Sequence, residues 1–94
     1  MLASGRIATL QTSAAPLSTA QIRAARGLLK WTQATLAHRA AISAVTLNMI
    51  ENESVRPRES TLAAIRAALE RGGVEFLGEN GTGLGVRFAP GGAR

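Results

Sequence analysis

The sequence contains no cysteine, no aspartate and no tyrosine, and only one histidine, His38. Without cysteine neither a disulfide framework nor a thiolate metal site can be built, and nothing points to an oxidising compartment. Without aspartate no Ser-His-Asp set exists, and the scattered glutamates offer no paired-carboxylate spacing for acid–base work. His38 has no matching carboxylate cluster to complete a zinc site and reads as an exposed helix side chain. Gly81-Thr82-Gly83-Leu84-Gly85 lacks the spacing of a nucleotide loop and no helix follows it to receive a phosphate, so it reads as a flexible link. No catalytic residues, metal or cofactor are expected. No apolar run approaches the roughly 20 residues that span a bilayer, so no membrane partner is expected. The opening MLASGRIATLQTSAAPLS lacks the continuous apolar stretch of a secretory signal. Residues 1–17 are therefore expected to be a flexible leader, in a cytoplasmic protein.

What is present suits one compact domain. Ninety-four residues can bury about 60 to 65% of the surface that the unfolded chain exposes, enough for a single core. The composition is 46% hydrophobic but only 3% aromatic. Alanine and leucine supply most of the apolar content, a balance that favours small, closely packed helices over sheets. Eleven Lys and Arg face six Glu, for a net charge of +5. Such a surplus attracts polyanions, although solvated surfaces carry similar charge for no specific reason.

Helix starts recur along the chain with one chemistry. Ser18 can cap a first helix, Gln21 completes a capping box, and Leu17 with Ile22 forms a hydrophobic staple. That helix runs to about Lys30 with Ile22, Ala25 and Leu29 on its apolar stripe and Arg23, Arg26 and Lys30 largely outside it. Trp31-Thr32 followed by Leu36 staples and caps a second helix over residues 33–40, and Ile42-Ser43 followed by Leu47 does the same for a third over 44–52. In this scheme Trp31 is a staple residue covering the core. Residues 53–59, ESVRPRE, form a charged loop, because Pro57 removes an amide donor and disfavours helix at Arg56. Ser60 is the expected cap of a fourth helix, which carries Leu62, Ile65 and Leu69 and stops at Gly72-Gly73.

Beyond the glycines the period changes to two. Val74-Glu75-Phe76-Leu77 and Val86-Arg87-Phe88 flank the link GENGTGLG and predict a small hairpin. A lone hairpin is marginal, so it must pack on the helices or on a second copy of the chain. Val74, Phe76, Val86 and Phe88 motivate the second choice. The expected division is a leader over 1–17, a helical domain over 18–73, a hairpin and dimerisation element over 74–89 and a flexible tail over 90–94.

The second and third helices carry the sharper signal. Leu36, Ala37 and Ala40, then Ile42 in a tight turn, then Leu47 and Ile50, put one apolar face on each of two short helices, and a small residue at Ala37 lets them cross closely. With IRAARGLLKWTQATLAHRAAISAVTLNMIENE and STLAAIRAALERGGVEF, residues 19–73 resemble the XRE-type (phage Cro and repressor-like) helix-turn-helix regulators over about three fifths of the chain. The resemblance implies an all-α, four-to-five-helix, lambda-repressor-like domain, here with a small C-terminal β-hairpin appendage. It also implies double-stranded DNA as partner, with the second helix over the backbone and the third in the major groove. By that match Thr32, Gln33 and Ser43 meet phosphate, Gln33 also standing within reach of a base edge. Ala44, Val45, Asn48 and Met49 stand where bases are read, Thr46 and Asn52 lie nearby, and Arg56 and Arg58 clamp the flanks. Three positions depart from the family pattern: Ala41 replaces the common turn glycine, Glu53 replaces the glycine that follows IEN, and the acid usual early in the second helix is absent from QATLAHR.

These residues favour a sequence-specific, homodimeric regulator, a repressor on a palindromic operator, with RNA polymerase or a cognate regulator as a further protein partner. Exposed helix starts and their dipoles form anion sites without side-chain charge, and Ala44, Val45 and Met49 can press on thymine methyl groups. The alternative is a protein-interaction module, an antitoxin or antiactivator, that keeps the fold and docks its apolar third helix on a partner. RNA binding is disfavoured, since there is no exposed aromatic platform.

Overall fold

The computed structural model describes residues 17–78 and 83–91. The expected leader, apart from Leu17, the centre of the glycine-rich link and the last three residues lie outside the described residues. Among the described residues four helices come first: α1 (Thr19–Leu29), α2 (Gln33–Ala40), α3 (Ala44–Glu51) and α4 (Glu59–Gly72). Two strands follow, β1 (Val74–Leu77) and β2 (Gly85–Phe88), paired antiparallel with Val74 opposite Phe88 and Phe76 opposite Val86. No described helix is long and apolar enough to cross a membrane.

The helix starts form as the local chemistry dictates. Ser18 and Gln21 make a reciprocal capping box. The hydroxyls of Thr32 and Ser43 accept the amides of Thr35 and Thr46 at 3.0 and 2.9 Å. Leu17 is buried with the core, as the staple requires. The fourth start differs from expectation: α4 begins at Glu59, with Arg58 as an N-cap that makes no side-chain capping bond. Ser60 is therefore the second helical residue and not the cap. Pro57 leaves Arg58 free to take the extended capping geometry, and Glu59 places negative charge in the first turn, where the helix dipole favours it. The third helix ends one residue earlier than expected, at Glu51, with Asn52 as its C-cap.

Among the described residues three that are not glycine adopt left-handed backbone, Lys30, Ala41 and Glu53, with φ of 58°, 60° and 65°. Each reverses the chain after a helix so that orphan carbonyls find donors. At Ala41 the following amide, that of Ile42, reaches the Ala37 carbonyl at 2.9 Å, which closes the turn between α2 and α3. At Glu53 the Ser54 amide reaches the Met49 carbonyl at 2.9 Å. Alanine and glutamate thus hold the geometry for which the family commonly uses glycine.

Ile22, Leu36, Leu47, Ile50, Ile65 and Leu69 form the fully buried centre, with Ala25, Ala37, Ala40 and Ala68 letting the helices approach closely. Leu29, Trp31, Ile42 and Leu62 pack on its margin. The hairpin joins this same core: Val74 and Phe76 are buried, 2% and 8% exposed, while Leu84 and Phe88 remain exposed. Two of the four residues that motivated pairing with a second copy, Val74 and Phe76, are thus buried within the chain's own core. Gln21 secures this arrangement. It is 5% exposed, and its side-chain amide donates to the carbonyls of Leu77 at 3.1 Å and Gly85 at 3.0 Å, one from each strand, while its oxygen accepts the Ser18 amide.

Candidate nucleic-acid interface

Helix α3 is short, and its sequence divides it cleanly. Leu47, Ile50 and Glu51 are buried. Ala44, Val45 and Asn48 are exposed, Val45 to 68%. Thr46 and Met49 are half-buried at the margins of that exposed strip. The strip is therefore mainly two apolar side chains and one carboxamide, with no Arg, Lys or Gln on it.

Two helix starts accompany this face. At α2, Thr32 caps through Thr35, and the two hydroxyls lie 3.0 Å apart. At α3, the Ser43 hydroxyl donates to that of Thr46 at 2.8 Å while accepting its amide. The first-turn amides ahead of each capped position have no intrahelical acceptor. Both starts therefore offer N–H groups and the positive end of a helix dipole to an anion.

Gln33 also has a partner within the protein. Its side-chain amide donates to Glu51 Oε1 at 3.0 Å. The first-turn amide of Gln33 lacks an intrahelical acceptor, and its carboxamide retains a second N–H and an oxygen. Asn52 caps α3, and its Oδ1 accepts both the amide and the hydroxyl of Ser54. Arg56 and Arg58 are exposed on either side of half-buried Pro57. Their loop is tied to the start of α1, where the Thr19 hydroxyl donates to Glu53 Oε2 at 2.8 Å.

Glu51 is the residue that the sequence reading missed. It is 4% exposed, and it joins three helices. Arg26 of α1 donates Nε to Oε2 and Nη2 to Oε1, both at 2.8 Å, a two-pronged contact that fits the planar guanidinium. Gln33 of α2 supplies the third bond. Arg23 Nη1 then donates to the Glu51 backbone carbonyl at 2.7 Å, placing positive charge at the C-terminal end of the α3 dipole. Burial pushes the Glu51 carboxyl up, but the hydrogen bonds from Arg26 and Gln33, with the charges of Arg26 and Arg23, outweigh it and hold the group below the ordinary carboxylate range. The Glu51 hydrogen bond and charge raise Arg26 further above its already high value, against the opposing effect of burial. The position was detectable: Leu47, Ile50 and Glu51 fall at i, i+3 and i+4, and an acid on a buried stripe needs a paired cation.

This hub holds α3 by its C-terminal end while Ser43 and the Ala41 turn hold its start. The exposed strip of Ala44, Val45 and Asn48 is consequently a fixed surface. A helix-turn-helix family model matches residues 22–76, from within α1 to the third residue of β1. No curated protein matches the chain.

Proposed function

The chain belongs to the XRE-type helix-turn-helix family of DNA-binding regulators, and from that premise we propose that it is a bacterial, cytoplasmic, homodimeric repressor. Each copy inserts α3 into one half of a roughly palindromic operator. Thr32 and Ser43, with the amides at the starts of α2 and α3, meet backbone phosphates, and Gln33 joins them through its backbone N–H. Asn48 takes a base edge. Ala44, Val45 and Met49 contact thymine methyl groups, and Thr46 and Asn52 border the same strip. Arg56 and Arg58 add backbone charge at the flank. Occupied promoter DNA excludes polymerase, and a contact with polymerase from the same position would activate instead.

The observation that carries this reading is the exposed strip Ala44, Val45 and Asn48, preceded in the chain by two capped helix starts and followed by two exposed arginines. It predicts a site rich in A·T pairs, since only Asn48 can form a bidentate contact there, worth about 1 to 3 kcal/mol of discrimination. Selection of bound duplexes from a random pool tests it, repeated with Asn48→Ala. An enriched motif that loses one position in the variant is expected. No enrichment at moderate salt would overturn the specific-regulator reading.

A second reading rests on Val45, whose apolar side chain is 68% exposed: a protein-interaction module, antitoxin or antiactivator, docking α3 on a partner. Arg56→Ala with Arg58→Ala separates the two. The DNA reading expects weaker binding to every duplex and a salt slope smaller by about 0.9 per lost phosphate contact, whereas the docking reading expects no change in partner affinity. The hairpin residues Leu84 and Phe88, still exposed, are the proposed dimer contact. Sedimentation of the free protein and of its DNA complex measures it, and a monomer in both would refute it.

A further inference from the structure

An open hollow lies between α2 and α4, lined by Ala34, Thr35, His38 and Arg39 from the first and Ala68 and Arg71 from the second. None of the α3 residues lines it. We propose that this hollow is an oxyanion site, taking a small ligand of at least two negative charges such as an inorganic or organic diphosphate. Three side chains able to carry positive charge, His38, Arg39 and Arg71, line it from two helices, and among the described residues no carboxylate does. The nearest acid along α4, Glu70, is engaged by Arg66 at 3.1 Å. Like charges gathered without a counterion repel one another, and a bound dianion relieves that repulsion.

One of the cations is also held in place. Arg39 stacks on Trp31 with its guanidinium carbon 4.6 Å from the ring centroid. Trp31 in turn lies so close to Gly72 that a Cβ there would sit 2.7 Å from ring atom Cη2. The glycine next to Arg71 therefore seats the ring that orients Arg39. Ala34 and Ala68 are small and leave the space between them unfilled. A guanidinium fixed in this way loses less freedom on binding an oxyanion than a free surface arginine does.

Trp31 is the only tryptophan and touches the site through Arg39, so its fluorescence reports occupancy. The experiment titrates pyrophosphate into the full chain at constant ionic strength, without DNA, and repeats it with sodium chloride. A saturable change with pyrophosphate, absent with chloride, is expected, together with amide NMR shifts at Thr35, His38 and Ala68. Arg71→Gln should weaken binding about tenfold or more, as loss of one charge-assisted contact implies, and Arg71→Lys should recover much of it. A response equal to that of chloride, or saturation unchanged in Arg71→Gln, overturns the proposal. A parallel DNA titration distinguishes a free ligand from a DNA phosphate: the salt slope of Arg71→Gln should equal that of the parent, and a slope smaller by about 0.9 would assign Arg71 to the DNA backbone and overturn the proposal. Because the pyrophosphate titration contains no DNA, its outcome is independent of the operator reading.

Discussion

Replacing Glu51 with alanine removes the acceptor of three hydrogen bonds, two from Arg26 and one from Gln33. It leaves the Arg26 guanidinium, whose side chain is only 22% exposed, without its counter-charge. One bond survives, from Arg26 Nη1 to the Trp31 carbonyl at 3.0 Å. Removing one partner of a buried ion pair costs about 3 to 5 kcal/mol. Partial exposure lets water reach Arg26, so the lower end, about 3 kcal/mol, is expected. For a chain of 94 residues the total stability is on the order of 5 to 14 kcal/mol, and the variant should melt roughly 12 to 24 °C lower. Urea unfolding followed by far-ultraviolet circular dichroism at neutral pH measures the loss directly, with a thermal scan beside it. The companion Arg26→Met, Glu51→Leu double variant should recover most of it, since matched apolar replacement of a buried pair is often neutral. A loss below about 1 kcal/mol for Glu51→Ala, the range of an exposed pair, would refute the reasoning and make the hub a solvated contact.

Three further outcomes follow from the same contacts. Because the folded Glu51 carboxyl lies below the ordinary range, its contribution is present above the unfolded value of about 4.3 and is lost as pH falls through the folded value; acid titration of stability should therefore show a smaller drop below about pH 4 in Glu51→Gln than in the parent. Ala41→Gly relieves a left-handed alanine at φ 60° and should stabilise the fold by about 0.5 to 1 kcal/mol after the greater chain entropy of glycine is subtracted, and a lower urea midpoint would contradict the strain. Gln21→Ala removes both side-chain bonds to the hairpin and half of the capping box, so a loss of about 2 kcal/mol should come with faster hydrogen exchange at the hairpin amides than at those of α3, and uniform exchange would show that apolar packing alone seats the strands.

Much of the helical framework was legible because it is built from local devices. Ser18, Thr32 and Ser43 each sit three residues before the amide they cap, so a short window of sequence contains the whole interaction. The apolar stripes that cross in the helix-turn-helix are equally local, and Leu36, Leu47, Ile50, Ile65 and Leu69 are buried as their spacing requires. Ser60 was misread for a related reason. It has the side chain of a cap, but Pro57 sets the chain direction two residues ahead of Glu59 and starts the helix earlier. Gln21 was read only as a capping partner, since its bonds to Leu77 and Gly85 span 56 and 64 residues.

The exposed strip of α3 follows from the sequence by itself. A capped eight-residue helix whose stripe is Leu47 and Ile50 must turn Ala44, Val45 and Asn48 outward. What only the tertiary structure decided is how rigidly that strip is presented, and what remains available beside it. Arg26 and Glu51 are 25 residues apart, and Gln33 and Glu51 are 18, so no local pattern pairs them. Their meeting ties the side-chain amide of Gln33 to Glu51 and turns a glutamate in IENE into the anchor of α3. The hairpin was decided in the same way: alternation predicts two strands, but only the packing of α1 and α4 determines that Val74 and Phe76 are buried while Leu84 and Phe88 stay exposed. Pairwise burial of groups far apart in the chain depends on where the whole core closes, and a reading confined to neighbouring residues contains no term for that.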